Sequence, residues 1–336
     1  MDSFTQALLG AATFAVVKDK EIGKKSLLIG AIAGTIPDLD IFLSPFFNEV
    51  AFLTVHRSVS HSMVFAVLLS FLLGEIAYRA YQKKQSRASW NWAFFLAIMT
   101  HSLLDWCTTY GTKLLSPFHG HLFSTNNIHV LEPTYTLILL VGIVILLVKN
   151  QEEGNRQRII NRTLLLSSTF LFWTFISKGI ANQHFVEALK NQNIKYEKLM
   201  VSPTPFNSVL WHGIVKVEQG YYFGTYSLLD NREHIEFHFE ESQNELISKI
   251  EGQRLVKYYL QYTQDFPLIK QDEQGNIQIY AIKYGPVNCF GKPEFVFPLC
   301  LNEKELIDEK IKIDYSGKVK TPVKNYRELY RRLKGI

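Results

Sequence analysis

The chain has 336 residues, 47% of them hydrophobic and 13% aromatic, with a formal net charge of +5. That length allows two domains. The basic residues gather in three short stretches between apolar runs rather than on one face, which argues against nucleic acid as a partner and for the loops of a membrane protein. A mean hydropathy of +0.01 averages two unlike parts. Residues 1–180 hold nearly all the long apolar runs, and residues 181–336 read as a water-facing sequence of mixed polarity.

Six hydrophobic helices follow one another in the first part: Phe4–Val17, Leu27–Phe47, Ser62–Tyr81, Trp90–Thr109, Pro133–Val148 and Leu164–Ile180. A span needs about 20 apolar residues, fewer where protein covers it. The first run is short, and it is expected to be retained, because Asp2 stands where a secretory signal would be positive and the first basic residue is Lys18. The second run is interrupted by Pro37, Asp38 and Asp40, a break tolerated where backbone is covered by protein or lines a polar cavity.

The loops set the orientation. Lys18, Lys20, Lys24 and Lys25 fall between runs one and two, Arg79, Lys83, Lys84 and Arg87 between three and four, and Lys149, Arg156, Arg158 and Arg162 between five and six. The alternate loops carry only Arg57 and Lys113. The excess of positive charge on cytoplasmic loops then puts both termini outside the plasma membrane.

Residues 181–336 are expected to form an extracytoplasmic α+β domain. Helices are expected at His184–Asn193 and Asn244–Gln261. Strands are expected at Ser208–Val217, Tyr221–Leu229, His234–Phe239, Ile277–Tyr284 and Phe295–Cys300, where β-branched and aromatic residues cluster between turn residues. Pro203-Thr204-Pro205 gives an extended entry, and Trp211 is expected in the core. Cys289 and Cys300 could pair in an oxidising compartment. No GxSxG, P-loop, GxGxxG or HExxH pattern occurs.

The chemistry is carried by ionisable residues inside apolar segments, where each costs several kcal/mol unless it pairs, meets water or binds an ion. His101 and Asp105 are four apart on one helix and so share a face, which suits one ion and equally a His–Asp hydrogen bond between packed helices. His56 and His61 flank Arg57, which could hold a phosphate oxygen bidentately, and Ser60 or Ser62 could cap the third helix. Asp38 and Asp40 would repel each other unless a cation or an arginine intervenes, or unless both are solvated loop residues. Glu132, just before the fifth run, could be a general base. Thr5 and Gln6 could donate hydrogen bonds, while His119 and His121 read as a solvated loop pair. All these groups fall toward the outer ends of their segments.

With those residues in view, the chain resembles the bacterial inner-membrane metal-dependent hydrolase family, the YdjM-like proteins. The resemblance rests on Asp2-Ser3-Phe4-Thr5-Gln6, Gly34-Thr35-Ile36-Pro37-Asp38-Leu39-Asp40, His56-Arg57 with His61-Ser62, His101 with Asp105, and Glu132-Pro133-Thr134-Tyr135-Thr136. It implies a hydrolase with a divalent ion, zinc by preference, held by His101 and Asp105, then His61, His56 and Asp38. It is also similar to the zinc-dependent phospholipase C group, whose helical sites use His-x-x-x-Asp. The expected function is therefore hydrolysis of a lipid or lipid-linked phosphoester at the outer face, with Asp40 or Glu132 as base and Arg57 steadying charge. The alternatives are a non-catalytic membrane protein whose polar cluster ties helices while its outer domain binds a partner, and an ion transporter. Transport is disfavoured by the lack of matching polar residues at the inner ends.

Overall fold

A computed structural model describes residues 1–82, 84–148, 152–230, 234–288, 293–295, 298–301, 312–313 and 322–335. The described chain divides into two compact units, one of Met1–Leu43 and Val55–Thr174, the other of Ser44–Thr54 and Phe175–Ile336.

The first unit is helical. Helix α1 (Ser3–Ile22) is capped by Asp2, whose carboxylate accepts the Thr5 N–H at 2.9 Å and the Thr5 hydroxyl at 2.7 Å. It runs past the expected end at Val17, so Lys18 and Asp19 lie inside the helix and are buried rather than in a loop. The helix stops at Gly23 (φ 57°), whose N–H returns to the Asp19 carbonyl. Helix α2 (Lys25–Thr35) passes into a 3-10 segment over Ile36–Phe46. A short helix α3 (Glu49–Val55), which sequence patterning missed, belongs to the second unit except at its last residue. Helix α4 (Met63–Ala80) is capped by Ser62, which accepts from Phe65 N–H at 3.1 Å. Helices α5 (Arg87–Trp106), α6 (Pro133–Val148) and α7 (Glu153–Asn191) complete the set. The expected sixth run and the expected helix at His184–Asn193 are one continuous helix, because no proline separates them.

Helix α1 is buried over most of its length. One core joins its Leu8, Ala12 and Ala15 to Leu104, Tyr135, Leu139 and Ile160, and another joins its Phe14 to Trp90, Phe94 and Ile98. Its contact with α2 is backbone on backbone: a Cβ added at Gly34 would lie 2.8 Å from Gly10 Cα and 2.9 Å from the Gln6 carbonyl oxygen. Gly30 and Gly34 form the small-xxx-small spacing that lets apolar helices approach this closely. Gly34→Ala should therefore push α2 away from α1 and cost about 1–3 kcal/mol, as core overpacking does. A lowered thermal midpoint in detergent would show it, and an unchanged midpoint would mean the crossing is loose.

Among the described residues, three helical stretches are long and apolar enough to cross a membrane: Lys25–Phe46, Met63–Ala80 and Glu153–Asn191; Pro133–Val148 is apolar but shorter. Their exposed side chains include many large apolar ones, among them Leu68, Phe71 and Ile76 on α4 and Leu165, Leu166 and Phe172 on α7.

The second unit contains two antiparallel four-stranded sheets. The first is β1 (Lys198–Pro203), β2 (Leu210–Val217), β3 (Gly220–Ser227) and β4 (His238–Glu241), in that order. Residues of α7 pack on it: Phe185 lies against Gly213, where a Cβ would approach its ring to 2.4 Å. Phe185 shares a core with Trp211, Val201 and Tyr226, and the Trp211 indole N–H donates to Ser177 Oγ at 3.1 Å. Then come α8 (Ile247–Ile250), α9 (Arg254–Tyr262), β5 (Pro267–Gln271), β6 (Ile277–Ala281), β7 (Leu299–Leu301), β8 (Lys312–Ile313) and α10 (Pro322–Leu333). The second sheet is ordered β5-β6-β7-β8.

Several boundaries differ from expectation. The strand expected at His234–Phe239 is confined to His238–Glu241; Ile235 is buried in the core beside the sheet, with its carbonyl accepting from Gln192. The helix expected over Asn244–Gln261 breaks at Glu251–Gln253, next to Gly252. The strand expected at Ile277–Tyr284 ends at Ala281 and turns into a 3-10 turn. Of Phe295–Cys300, Leu299 and Cys300 lie in β7, and residues 296–297 lie outside the described residues. Cys289 lies outside them too, and with it the Cys289–Cys300 pairing.

Candidate metal centre

Four side chains from three segments of the first unit converge. Asp38 comes from the 3-10 segment after α2, His61 from a 3-10 turn (Val59–His61) ahead of α4, and His101 and Asp105 from one face of α5. One ligating atom from each lies within 4.8 Å of all the others. The Nε2 atoms of His61 and His101 are 3.2 Å apart, each is 3.4 Å from Asp38 Oδ1, and Asp105 Oδ2 stands 3.4 Å from His61 Nε2 and 3.8 Å from His101 Nε2. Tetrahedral zinc with bonds near 2.0–2.1 Å sets its ligand atoms about 3.3 Å apart, so the spacing fits such an ion.

The hydrogen bonds behind these atoms say which lone pairs face inward. His101 Nδ1 lies 2.6 Å from the Gly34 carbonyl oxygen, which only accepts, so Nδ1 carries the proton and Nε2 offers a lone pair. His61 Nδ1 lies 3.0 Å from Ser60 Oγ, whose own proton goes to Asp40 Oδ2 at 2.6 Å. His61 Nδ1 is therefore also a donor, and its Nε2 also points a lone pair inward. Ser3 holds Asp38 Oδ2 at 2.9 Å, leaving Oδ1 for the centre. Asp105 Oδ1 accepts from Gln6 Nε2 at 2.9 Å and from the Met1 amine. Its buried Oδ2 accepts no hydrogen bond among the described residues, although Arg57 Nε stands 3.0 Å away. With both rings neutral, four acceptor atoms face inward, an arrangement that could hold a metal ion.

Burial opposes charge on His61, but the Asp105 and Asp38 carboxylates against it outweigh burial and raise its pKa. A metal must displace that proton, so uptake should weaken as pH falls. His61, His101 and Asp105 side chains are fully enclosed, whereas Asp38 is 18% and His56 20% exposed, so the centre opens on the side of those two.

The fifth residue named for the metal, His56, is elsewhere. Its Nδ1 lies 2.7 Å from Asp40 Oδ1, and its ring meets the His61 ring edge-on at 5.8 Å. Asp38 and Asp40 do not crowd each other because they sit in a 3-10 segment: with about three residues per turn, positions two apart point roughly 120° away from one another. Asp40 Oδ2 also accepts the backbone N–H of Arg57 at 3.1 Å. Arg57 has a left-handed backbone (φ 58°), unfavourable for a residue with a Cβ and here held by that bond and by Lys113 N–H donating to its carbonyl. Its guanidinium sits 4.7 Å over the Tyr110 ring, donates to Thr108 Oγ1 at 3.0 Å and pairs with Asp105. Glu132 is buried at the start of α6, its Oε1 3.3 Å from the Thr134 N–H, and is not among the four convergent residues. His119 and His121 form a local pair joined by His121 N–H to His119 Nδ1.

Sequence reasoning did not find the Gly34 carbonyl, Ser3, Thr108 or Tyr110 as parts of the site. A carbonyl has no residue-type signature, though Ser3 and Gly34 themselves lie within the motifs quoted above.

No solved structure matches the chain. The protein YfhP of Bacillus subtilis (strain 168), described as uncharacterized, is 26% identical over 152 residues, which cover 43% of this chain and 46% of that protein. The YdjM inner membrane protein family matches residues 1–181, which contain every residue of the centre. With more than half its length so matched, the chain belongs to the YdjM inner membrane protein family.

Proposed function

We propose that the chain is a multi-pass membrane hydrolase whose Asp38, His61, His101 and Asp105 hold one divalent ion, zinc by preference, and that it acts on a lipid or lipid-linked phosphoester at the outer face of the plasma membrane. The observation that carries this reading is the convergence of four acceptor atoms whose back sides are all fixed by hydrogen bonds. A divalent ion bound there would lower the pKa of a water and polarise a phosphoryl oxygen. Arg57, anchored by Tyr110 and Thr108, brings fixed positive charge to the place where negative charge develops. His56, oriented by Asp40 on the open side, is better placed to take a proton than Asp40 itself, whose two oxygens are committed to His56, Ser60 and the Arg57 N–H. Exposed Leu39, Ile41 and Phe42 follow Asp38 directly, which suits a substrate arriving from lipid.

The charge pattern of the loops supports six crossings with both termini and the second unit outside. Transport is not disfavoured by an absence of inner polar groups, because Lys18, Asp19 and Arg156 are buried about 20 Å along α1 from Gln6. It is disfavoured by their pairing: Arg156 clasps Asp19 with contacts of 2.5 and 2.8 Å, and Lys18 binds Glu21 at 2.6 Å. Paired charges close a path rather than line one.

The test is turnover of a panel of lipid phosphoesters and acyl esters by zinc-loaded protein in mixed micelles. Chelator-sensitive release of product, reduced roughly 10²–10³-fold in Arg57→Ala with metal content retained, is the expected outcome. Zinc-loaded protein inert toward both ester classes would favour the non-catalytic alternative, in which the centre ties helices and the second unit binds a partner.

A further inference from the structure

We infer that Asp40 is a positioning residue of the metal centre: through Ser60 it fixes the tautomer of His61 that ligates, and with its other oxygen it keeps His56 outside the ligand set. The inference rests on the reading of Asp38, His61, His101 and Asp105 as ligands.

The chain of contacts runs in one direction. His61 Nδ1–H donates to Ser60 Oγ at 3.0 Å, and Ser60 O–H donates to Asp40 Oδ2 at 2.6 Å. Asp40 Oδ2 is itself 3.6 Å from His61 Nδ1, too far for a direct bond, so the hydroxyl is the necessary link. A metal-bound imidazole with its far nitrogen tied to a carboxylate is a more basic and better aimed ligand. His101 obtains the same service from the Gly34 carbonyl, a neutral group, so the two histidines are not equivalent.

Asp40 has two further attachments that locate the whole assembly. The Arg57 N–H on Oδ2 steadies the left-handed turn that brings the Arg57 side chain to Asp105, and His56 Nδ1 on Oδ1 draws that ring to the rim. One carboxylate thus holds three residues of the His56–His61 turn: His56, Arg57 and Ser60. Of the two aspartates in Pro37-Asp38-Leu39-Asp40, the first belongs to the group of four that could hold the ion and the second does not.

The experiment measures zinc affinity by chelator competition, and the visible spectrum of the cobalt(II)-loaded protein, for the full chain in detergent. Asp40→Asn and Ser60→Ala are each expected to bind zinc about 10–100-fold more weakly than wild type. Ser60→Thr, which keeps the hydroxyl, should recover most of the affinity and the wild-type cobalt spectrum. His56→Gln should keep zinc stoichiometry and affinity. Should Asp40→Asn fail to fold, the Ser60→Ala and Ser60→Thr pair decides the matter alone. Unchanged affinity in a folded Ser60→Ala overturns the relay, and loss of zinc in His56→Gln makes His56 a ligand and overturns the division of roles. Wild-type protein that takes up neither metal overturns the reading of the centre, and this inference with it.

Discussion

Replacing His101 and Asp105 together by alanine is expected to reduce the metal content of the purified protein from about one ion per chain to a trace. The two supply half of the converging atoms, and each is enclosed, so no water-exposed substitute can take over. The loss should exceed the roughly 10–100-fold that an outer-shell partner costs. Mass spectrometry of detergent-purified protein after reconstitution with zinc measures it directly. Thermal stability gives a second readout: an ion at a hundredfold excess over its Kd stabilises the wild type by about 2.7 kcal/mol, and the variant should gain nothing. His101→Gln is the milder companion, since it removes one ligand and leaves the Asp105–Arg57 pair standing. Wild-type protein with no ion after reconstitution with several metals would remove the hydrolase reading and leave the cluster as a tie between helices.

Asp19→Ala is expected to be the most destabilising single change outside the centre. Asp19 and Arg156 are buried and meet in a two-pronged pair, with Ser26 donating to Asp19 at 3.2 Å and Arg156 also donating to the Leu146 carbonyl at 3.0 Å. Removing the carboxylate leaves a guanidinium enclosed without its counter-charge, at a cost of about 3–5 kcal/mol. Unfolding in detergent, followed by helical signal, measures the loss. The double change Asp19→Ala with Arg156→Met should restore most of it, because the cost lies in the orphaned charge rather than in the missing bond. A loss of under about 1 kcal/mol in Asp19→Ala would mean the pair is wet, with the energetics of a surface ion pair.

Much of the centre was legible because ionisable residues in apolar runs are conspicuous: Asp38, His61, His101 and Asp105 announce themselves by being out of place. His56 stands outside the group of four, because proximity to His61 in sequence says nothing about which way each ring turns: past the left-handed backbone at Arg57, its Nδ1 meets Asp40 instead. Asp40 raised the same difficulty, since extended geometry would have put it on the same face as Asp38. The helices were found where apolar runs were long. The merger of the sixth run with the following helix was not, because the fall in hydropathy along α7 looks like an end when it is only a change in what surrounds the helix. Strands β1 and β5 escaped notice because Pro203 and Pro267 sit within them at edge positions, where a missing N–H is tolerated.

The change of pitch at Ile36 gives Pro37-Asp38-Leu39-Asp40 two separate addresses on one short stretch of chain. In a strand, carboxylates at this spacing would share one face as near-duplicates, and loss of one could be covered by the other. Here a third of a turn separates an ion ligand from the residue that aims its neighbour, so neither can stand in for the other. Deleting Leu39 would not shorten a linker; it would rotate Asp40 out of reach of Ser60 and His56 at once, and the centre would lose its aim while keeping every one of its ligands.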